Sequence, residues 1–350
     1  MVERTHLSRR IAARSTRRSV APGKLVDMFA ITQDEPGGVE TMQWREVPTP
    51  TPGDGEVLVR TIAAGVNRAD LLQRQGHYPP PPGISDVMGL EASGVVAAVG
   101  AGVSRWQPGD EVVALLSGGG YAEYFVVPAG QLAARPAGVD LVDAAALIEV
   151  AATVVSNLNE AALKAGETFL VHGGAGGIGS FAVPYAKQLG ARVLATSSTA
   201  KLGYVRERGA DEVIDYHEDW AARVKELTQG RGVDVILDII GAKYLEANVE
   251  ALAPDGRLVI IGMQKGTKGT LNISELLNKR GTVRATSLRL RPAEQKAAIV
   301  WQVASQVWPL YADGSLQLPP VKRFAMQDAA AAHAWLESGD SQGKAVLTVG

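Results

Sequence analysis

Three glycines, Gly174, Gly176 and Gly179, lie between an apolar run over residues 169–172 and a stretch with helical periodicity. This spacing is typical of a dinucleotide-binding turn, in which the first glycine makes the tight turn and the second lets the backbone approach a pyrophosphate. The third lets the helix pack closely on the strand, and free N–H groups at the helix start bind the phosphates. The pattern predicts a nucleotide-cofactor site. The alternative is a generic α/β sheet whose glycine-rich turn holds no cofactor.

The residues that follow the second apolar run, 192–196, bear on which cofactor binds. An Asp or Glu there would hold the 2′-hydroxyl of an NAD ribose, whereas this chain has Ser197, Ser198 and then Lys201. Small hydroxyls and a lysine suit a 2′-phosphate, because a carboxylate would repel that dianion. We therefore expect NADPH rather than NADH. The alternative is that Lys201 only occupies the first turn of an exposed helix.

Tyr78 is the candidate proton donor to a substrate. It precedes four prolines at 79–82, which stiffen their loop in an extended conformation, and a phenol can both stack on a ring and donate a proton. The alternative is that the Tyr78 ring only packs as an apolar plug within its loop and takes no part in proton transfer. Among the histidines, His77 is expected to be solvated, and His172 is expected to be packed and hydrogen-bonded at the end of its strand.

Composition excludes several kinds of chemistry. The chain of 350 residues contains no cysteine, which excludes disulfides, thiolate nucleophiles and cysteine-based zinc sites. Redox chemistry must then come from a bound cofactor. The formal net charge of −2 provides no overall basic field, so we expect neither nucleic acid nor a membrane as a partner. No run approaches the roughly 18 apolar residues of a membrane span.

Hydrophobic patterns predict two kinds of folding unit. Six apolar runs, most of them alternating with helical patterns, predict a parallel sheet buried on both faces. These runs cover residues 169–172, 192–196, 212–216, 233–240, 257–262 and 282–286. Before residue 150, short strands separated by Pro-Gly and Gly-rich turns are typical of an all-β module with a barrel-like core. The active site is expected between the two units, at the carboxyl ends of the parallel strands.

The same patterns divide the chain into domains. We expect a dinucleotide-binding domain over 151–290 and a catalytic domain over 28–150 and 291–350, with the last apolar run, 345–349, completing the first module. Residues 1–27 are rich in arginine and poor in acids. We expect a disordered basic extension there, or an upstream start with Met28 opening the folded part. An organelle transit peptide and a nucleic-acid-binding arm are the alternatives; we favour a cytoplasmic protein.

Several motifs together resemble a known family. They are residues 67–70, 73–83, 89–94, 109–112 and the 174–179 turn. In combination they are similar to the zinc-independent quinone oxidoreductases of the medium-chain dehydrogenase/reductase superfamily, and most of all to the tumour-suppressor-inducible branch. The resemblance runs from Met28 to the last residue. It implies an α/β fold in which a GroES-like β-barrel catalytic domain is interrupted by a Rossmann domain with a doubly wound, six-stranded parallel sheet. It also implies a homodimer joined through the Rossmann sheet edge.

The resemblance also bears on metal content. Zinc-dependent relatives keep a Cys at the position of Asn67 and a His at the position of Leu90, and this chain has neither. We therefore expect a metal-independent protein, without the Lewis acid that polarises an alcohol or carbonyl oxygen. Alcohol oxidation is then disfavoured. A quinone or an activated enone can accept hydride when it is merely positioned and hydrogen-bonded.

The family resemblance assigns roles to residues along the whole chain. Asn67 and Asp70 are expected beside the nicotinamide and its ribose, with Asn67 and Tyr78 as the catalytic pair. The other expected cofactor contacts are Thr153; Gly174, Gly176, Gly177, Ile178 and Gly179 around the pyrophosphate; Ser197, Lys201 and Tyr216 around the 2′-phosphate; Gly262, Met263 and Gln264 beside the nicotinamide; and Lys344. As alternatives, Asp70 caps a helix and Tyr216 ends a strand in solvent.

The resulting functional hypothesis is an NADPH-dependent quinone oxidoreductase. Hydride passes from the nicotinamide to a quinone, and the proton comes from Tyr78 or from water. A second hypothesis keeps the fold and the cofactor but makes the acceptor an enone or an enoyl thioester. A third is non-enzymatic, since related proteins serve as crystallins or RNA-binding proteins. The intact glycine turn, Lys201 and Asn67 argue against it.

Overall fold

The computed structural model describes residues 27–350. Its strands, in chain order, are β1 (Met28–Thr32), β2 (Gln43–Val47), β3 (Glu56–Val66), β4 (Glu91–Val99), β5 (Glu111–Leu115), β6 (Tyr124–Pro128), β7 (Leu132–Ala134), β8 (Thr168–His172), β9 (Arg192–Ser197), β10 (Glu212–Asp215), β11 (Val233–Asp238), β12 (Leu252–Ile260), β13 (Thr282–Ala285), β14 (Val321–Ala325) and β15 (Lys344–Thr348). Its α-helices are α1 (Arg68–Arg74), α2 (Leu141–Ala144), α3 (Ile148–Glu160), α4 (Gly177–Gln188), α5 (Leu202–Glu207), α6 (Trp220–Leu227), α7 (Leu245–Ala251), α8 (Ile273–Asn278), α9 (Ala293–Gln306), α10 (Trp308–Ala312) and α11 (Ala329–Glu337).

Six strands form a parallel sheet in the order β10-β9-β8-β11-β12-β13. The apolar runs of its central strands are buried on both faces, and β11 is buried along its whole length. The six predicted strands are thus confirmed. One boundary differs: β12 begins at Leu252, five residues before the predicted start, because Leu252 pairs with Val233 ahead of a register irregularity in the β11–β12 ladder.

A seven-stranded sheet, β14-β15-β3-β4-β5-β7 with β6 paired to β3, forms the second unit. Neighbouring strands are antiparallel except for β14 and β15. The last strand, β15, lies between β14 and β3 in this sheet, with Ala345 opposite Val66 on β3. The C-terminal strands therefore complete the β-unit that the N-terminal part of the chain forms, as the sequence predicts. The strands β1 and β2 form a separate hairpin.

Helix α3 joins the two units. Ten of its thirteen residues are buried, and it packs against α4 from the Rossmann-like unit and α9 from the C-terminal part. The predicted domain boundary at residue 150 falls within this helix, so the exact division stays a prediction. The predicted basic extension lies almost entirely in residues 1–26, outside the described range. Between residues 27 and 350, no helix is both long and apolar enough to cross a bilayer.

Candidate active site

The glycine turn connects β8 to α4 at the carboxyl edge of the parallel sheet. A Cβ on Gly179 would lie 2.6 Å from the carbonyl carbon of Gly174, so only glycine lets the helix approach the turn this closely. Gly176 is the N-cap of α4, and Gly177 and Ile178 are its first residues. Their N–H groups have no acceptor within the helix. The turn therefore presents N–H donors and the positive end of a helix dipole to an anion, as a pyrophosphate site requires.

A buried polar cluster lies next to this turn. The Lys344 ammonium donates to Oδ1 of Asn67 and to Oε1 of Glu91, both at 2.6 Å, and Asn67 Nδ2 also donates to Glu91 at 3.0 Å. The three residues are 3%, 7% and 0% exposed, respectively. A Cβ on Gly177 would lie 2.8 Å from Cδ of Lys344. The structure thus brings Asn67 and Lys344 from the β-unit against the first turn of α4.

Asp70 stabilises the start of α1. Its two oxygens accept the N–H groups of Asn67 at 2.8 Å and of Gly89 at 3.1 Å, and its side chain is fully buried. Burial raises the pKa of Asp70 to about 6, although the two N–H groups and Lys344 act in the opposite direction. The side chain therefore acts as a helix cap, and its expected contact with the cofactor stays a prediction.

Glu149 links this cluster to Thr153 on the same face of α3. The Thr153 hydroxyl donates to Oε1 of Glu149 at 3.2 Å, and the Glu149 N–H donates to Oε2 of Glu91 at 2.9 Å. Glu149 forms part of the wall of a small cavity that Leu90 also lines. Desolvation raises the pKa of Glu149 to about 7, partly offset by Lys344. The site therefore contains a carboxyl that changes its charge near neutral pH.

Tyr78 lies in the loop after α1 and faces the segment that follows β13. Its hydroxyl is 3.2 Å from Oγ of Ser287, and the guanidinium carbon of Arg289 lies 5.1 Å from the centre of its ring. The ring is half-buried, so both predictions for Tyr78, a proton donor and an apolar plug, stay open. The neighbouring His77 is exposed, in line with a solvated loop histidine.

The three residues expected at a 2′-phosphate lie at the ends of β9 and β10. Ser197 ends β9 and is 3% exposed, whereas Tyr216 is 42% exposed and its N–H donates to the Ser197 carbonyl at 3.0 Å. Lys201 donates to the carbonyl of Ser341 at 2.7 Å and also to that of Gly339. The Lys201 ammonium therefore donates to carbonyl groups of the segment before β15. A bound phosphate would need the same N–H donors.

Two carboxylates lie close to this expected phosphate site. Asp215 ends β10 and accepts from the hydroxyl of Thr199 and from the ring of His217 at 2.7 Å, while Asp340 acts electrostatically on Lys201. The end of the second strand holds no acid, and that strand end alone does not reveal these two carboxylates because other segments supply them. They bring negative charge close to the expected position of the 2′-phosphate.

Gly262, Met263 and Gln264 follow β12 at the same carboxyl edge. A Cβ on Gly262 would lie 2.7 Å from the carbonyl oxygen of Ile239, and the Gln264 N–H donates to that oxygen at 3.3 Å. Met263 is 60% exposed. The three residues thus form a loop packed on the end of β11, with an exposed apolar side chain where a nicotinamide face is expected.

His172, at the end of β8, is fully buried. Its Nε2 lies 2.8 Å from Oδ1 of Asn248, which only accepts, so Nε2 carries the hydrogen and Nδ1 accepts from the Thr196 hydroxyl at 3.0 Å. Burial lowers the pKa of His172 to about 4. The prediction of a packed, hydrogen-bonded histidine is confirmed.

Sequence reasoning missed two carboxylates that the structure places in the cluster, Glu91 and Glu149. A signal existed for both. Glu91 is adjacent to Leu90 within the recognised 89–94 motif, and Glu149 precedes Thr153 by four residues, which places the two on one helix face. The sequence did not reveal their cationic neighbour, Lys344, because it is 253 residues from Glu91.

The cluster does not fit a zinc ion of the kind that zinc-dependent relatives bind. Leu90 offers no donor atom, and the amide oxygen of Asn67 already accepts from the Lys344 ammonium. That ammonium would repel a second cation at the same oxygens. Throughout residues 27–350, no three or more His, Asp or Glu side chains are grouped so that they could hold a metal ion.

Comparison with known proteins agrees with this geometry. Residues 53–137 match the alcohol dehydrogenase GroES-like domain, and residues 177–304 match the zinc-binding dehydrogenase family. A quinone oxidoreductase from Pseudomonas aeruginosa is 36% identical over 89% of this chain and 96% of its own length. A 2-haloacrylate reductase from a Burkholderia species is 33% identical over the same shares of the two chains.

Solved structures support the same relationship. The JamJ enoyl reductase in its apo form aligns with a TM-score of 0.84 and 28% identity, covering 93% of this chain and 100% of that one. The predicted placement within the tumour-suppressor-inducible branch stays a prediction. The chain belongs to the medium-chain dehydrogenase/reductase superfamily of nicotinamide-dependent oxidoreductases, and quinone oxidoreductases are among its relatives.

Proposed function

We propose that the protein is an NADPH-dependent quinone oxidoreductase that works without a metal ion. When bound, NADPH would supply the hydride for the quinone. The observation that carries the proposal is the Lys344 ammonium, held by Asn67 and Glu91, at a position where a metal-dependent enzyme needs free ligands. Such a site favours an acceptor that takes hydride without a Lewis acid. The 36% identity to a quinone oxidoreductase supports the same acceptor class.

The residues of the chain would hold the cofactor at its pyrophosphate and at its nicotinamide ribose. The N–H groups of Gly177 and Ile178 would bind the pyrophosphate, and the Thr153 hydroxyl and the Asn67 amide would orient the nicotinamide ribose. Lys344 lies beside Gly177, but its charge is already paired with Glu91, so the phosphates would be bound mainly by the N–H groups at the helix start. Holding these two parts of the cofactor positions the reacting ring and lowers the entropy cost of hydride transfer.

A second candidate acceptor is an enone or a 2-enoyl compound. The relative that is named a 2-haloacrylate reductase and the enoyl reductase structure favour this class. Both classes accept the two electrons of a hydride into a conjugated system and need a proton afterwards. Comparing NADPH oxidation with a small quinone and with a 2-enoyl thioester decides between them. Faster turnover of the thioester, judged by kcat/KM, would contradict the quinone assignment.

Tyr78 is the proposed proton donor, and its removal tests this role. Tyr78→Phe keeps the ring over Arg289 but removes the hydroxyl. Turnover of a weakly reactive acceptor should fall about 10- to 1000-fold, the range of general acid catalysis, while the KM for NADPH stays nearly constant. A highly reactive quinone is the control, since it needs little acid assistance. Equal loss with both acceptors would identify Tyr78 as a packing residue.

Lys201 is the proposed ligand of the 2′-phosphate. Lys201→Ala should raise the KM for NADPH by roughly 10- to 100-fold, because a charge-assisted contact contributes about 1.5 to 3 kcal/mol. The KM for NADH should change little. The comparison also controls for the lost bonds to Gly339 and Ser341, since damage to that segment would weaken both cofactors. Equal weakening of the two, or equal use of both by the parent protein, would contradict the assignment.

We also propose a homodimer that forms through the free edge of the parallel sheet. Strand β13 lies at that edge and pairs with β12 on one side only. The helix before it, α8, exposes Ile273 and Leu277 by 69% and 70%. An unpaired strand edge next to exposed apolar side chains is a surface that a second copy can cover.

A further inference from the structure

Arg289 and Lys296 are two buried cations that lie together beside Tyr78. They are 5% and 7% exposed. The Arg289 guanidinium donates to the carbonyls of Ser117 at 2.8 Å and Tyr78 at 3.1 Å, and to Oε1 of Gln73 at 2.7 Å. The Lys296 ammonium donates to the Ser117 hydroxyl at 2.6 Å and to the Arg289 carbonyl at 3.3 Å. Every one of these acceptors is uncharged.

The two charges have no directly bonded counter-ion. Within the described range, 27–350, neither cation forms an ion pair with a carboxylate within 4.0 Å. Asp70 acts on Arg289 only at longer range, and Glu149 shares a cavity wall with both cations. Burying two like charges without an anion is unfavourable, and burial together with Arg289 lowers the pKa of Lys296. An anion bound between them would relieve that repulsion.

Both cations line two cavities, and only the larger has room for an organic ligand. One is small and is bordered by Leu90 and Glu149, next to the Asn67–Lys344 cluster. The other has a volume of about 660 Å³ and runs past the proline loop at 81–85 and the glycine turn at 117–119. The cations therefore lie between an open groove and the place where hydride transfer is proposed. An acceptor that enters through this groove would contact them.

We propose that Arg289 and Lys296 bind a carboxylate of the electron acceptor, so that the preferred acceptor is an anionic quinone or enone. Each Nη of Arg289 uses one N–H in the bonds described above, so its second N–H remains for a carboxylate, and Lys296 adds the second charge. The Tyr78 ring, stacked on Arg289, would then lie beside the conjugated part of the same molecule. That the ligand is an electron acceptor rests on the proposed function, whereas the binding of a carboxylate at Arg289 and Lys296 can be measured without any reaction.

Calorimetric titration of the full chain without cofactor tests the anion site. The probe is 3-(2-naphthyl)propionate, which cannot accept hydride, and its neutral methyl ester is the control ligand. The acid should bind about tenfold more tightly than the ester, since a charge-assisted contact contributes at least that factor. Equal affinities in the parent protein would overturn the proposal, and this comparison needs no variant to fold.

Charge variants add a matched test. Lys296→Met keeps an unbranched side chain one atom shorter and should remove most of the preference for the acid, while Lys296→Arg should keep that preference. Lys164→Met is the control, because Lys164 is an exposed lysine near the opposite, amino-terminal edge of the parallel sheet. An unchanged acid preference in a folded Lys296→Met protein would overturn the proposal.

Kinetics separate this inference from the proposed reaction. With a 1,4-naphthoquinone that carries a propionate side chain, Lys296→Met should raise KM by about tenfold and leave kcat nearly unchanged. The methyl ester of that quinone should show no such effect. If the protein binds the acid tightly but reduces neither quinone, the anion site is supported and the proposed reaction is contradicted. Reduction of both quinones with equal KM in the parent would contradict the anion site alone.

Discussion

Glu149 connects the protonation state of the site to the hydroxyl of Thr153, a residue that we expect to contact the cofactor. Its carboxyl accepts the hydroxyl of Thr153, and its pKa is raised to about 7 by desolvation. Near neutral pH the side chain therefore exists in both forms. The ionised form is an acceptor only, whereas the protonated form can also donate. The hydrogen-bonding state of Thr153 consequently depends on pH in the range where the enzyme is expected to work.

This carboxyl should also make stability depend on pH. Its folded-state pKa lies above the ordinary value of 4.5, so between about pH 4.5 and 7 the folded chain holds a proton that the unfolded chain releases. Its contribution to stability is therefore lost as pH rises through that window. Glu149→Gln removes the titration, and its amide oxygen can still accept from Thr153. We therefore expect the difference in Tm, variant minus parent, to be more positive at pH 8 than at pH 5.

Thermal unfolding of the parent and the variant at both pH values measures this difference. Glu207→Gln is the control, because Glu207 is exposed on α5 and the same substitution there should leave the pH dependence of Tm as in the parent. If Glu149→Gln and the parent show the same pH dependence, Glu149 is ionised across the whole range.

The contact between α4 and the glycine turn leaves little freedom to either element. The closeness of Gly179 to Gly174 leaves no space for a methyl group, so Gly179→Ala must move the helix away from the strand. Overpacking of this kind costs about 1 to 3 kcal/mol, and the displaced N–H groups should also bind the pyrophosphate more weakly. We expect a lower Tm together with a higher KM for NADPH.

Gly203→Ala is the matched control for this substitution. Gly203 also lies in a helix, α5, but a Cβ there meets nothing within 4 Å. Alanine has a higher helix propensity than glycine by about 1 kcal/mol, so Tm should stay the same or rise slightly. A Gly179→Ala protein as stable as the Gly203→Ala protein would show that the turn tolerates displacement.

Elements were predictable where local sequence determines them. The six parallel strands follow from uninterrupted apolar runs, which need no knowledge of their neighbours. The first part of β12 was missed, because it includes Pro254 and Asp255, residues that interrupt an apolar pattern. The roles of Glu91, Glu149 and Arg289 also escaped prediction. Each depends on partners that the fold brings from distant segments, and one sequence does not reveal such pairs.

At the scale of the whole molecule, the proposed dimer gives a direct test. Replacing both Ile273 and Leu277 by Asp introduces charges beside the free edge of β13, and their burial against a second copy would be unfavourable. We expect the molar mass measured by light scattering during size-exclusion chromatography to fall from that of a dimer to that of a monomer. Trp301→Gln is the control. Trp301 is 62% exposed but lies on α9, so this variant should remain dimeric. A monomeric parent would contradict the proposed dimer.

The position of Lys344 has a consequence for how the enzyme is made. Glu91 and its cationic partner are separated by 253 residues, and at about 5 to 20 residues per second the ribosome needs on the order of 10 to 50 s to synthesise that interval. During this time the early segment carries a carboxylate that cannot yet be buried with its counter-charge. The site therefore assembles late in translation, once β15 has brought Lys344 to Glu91.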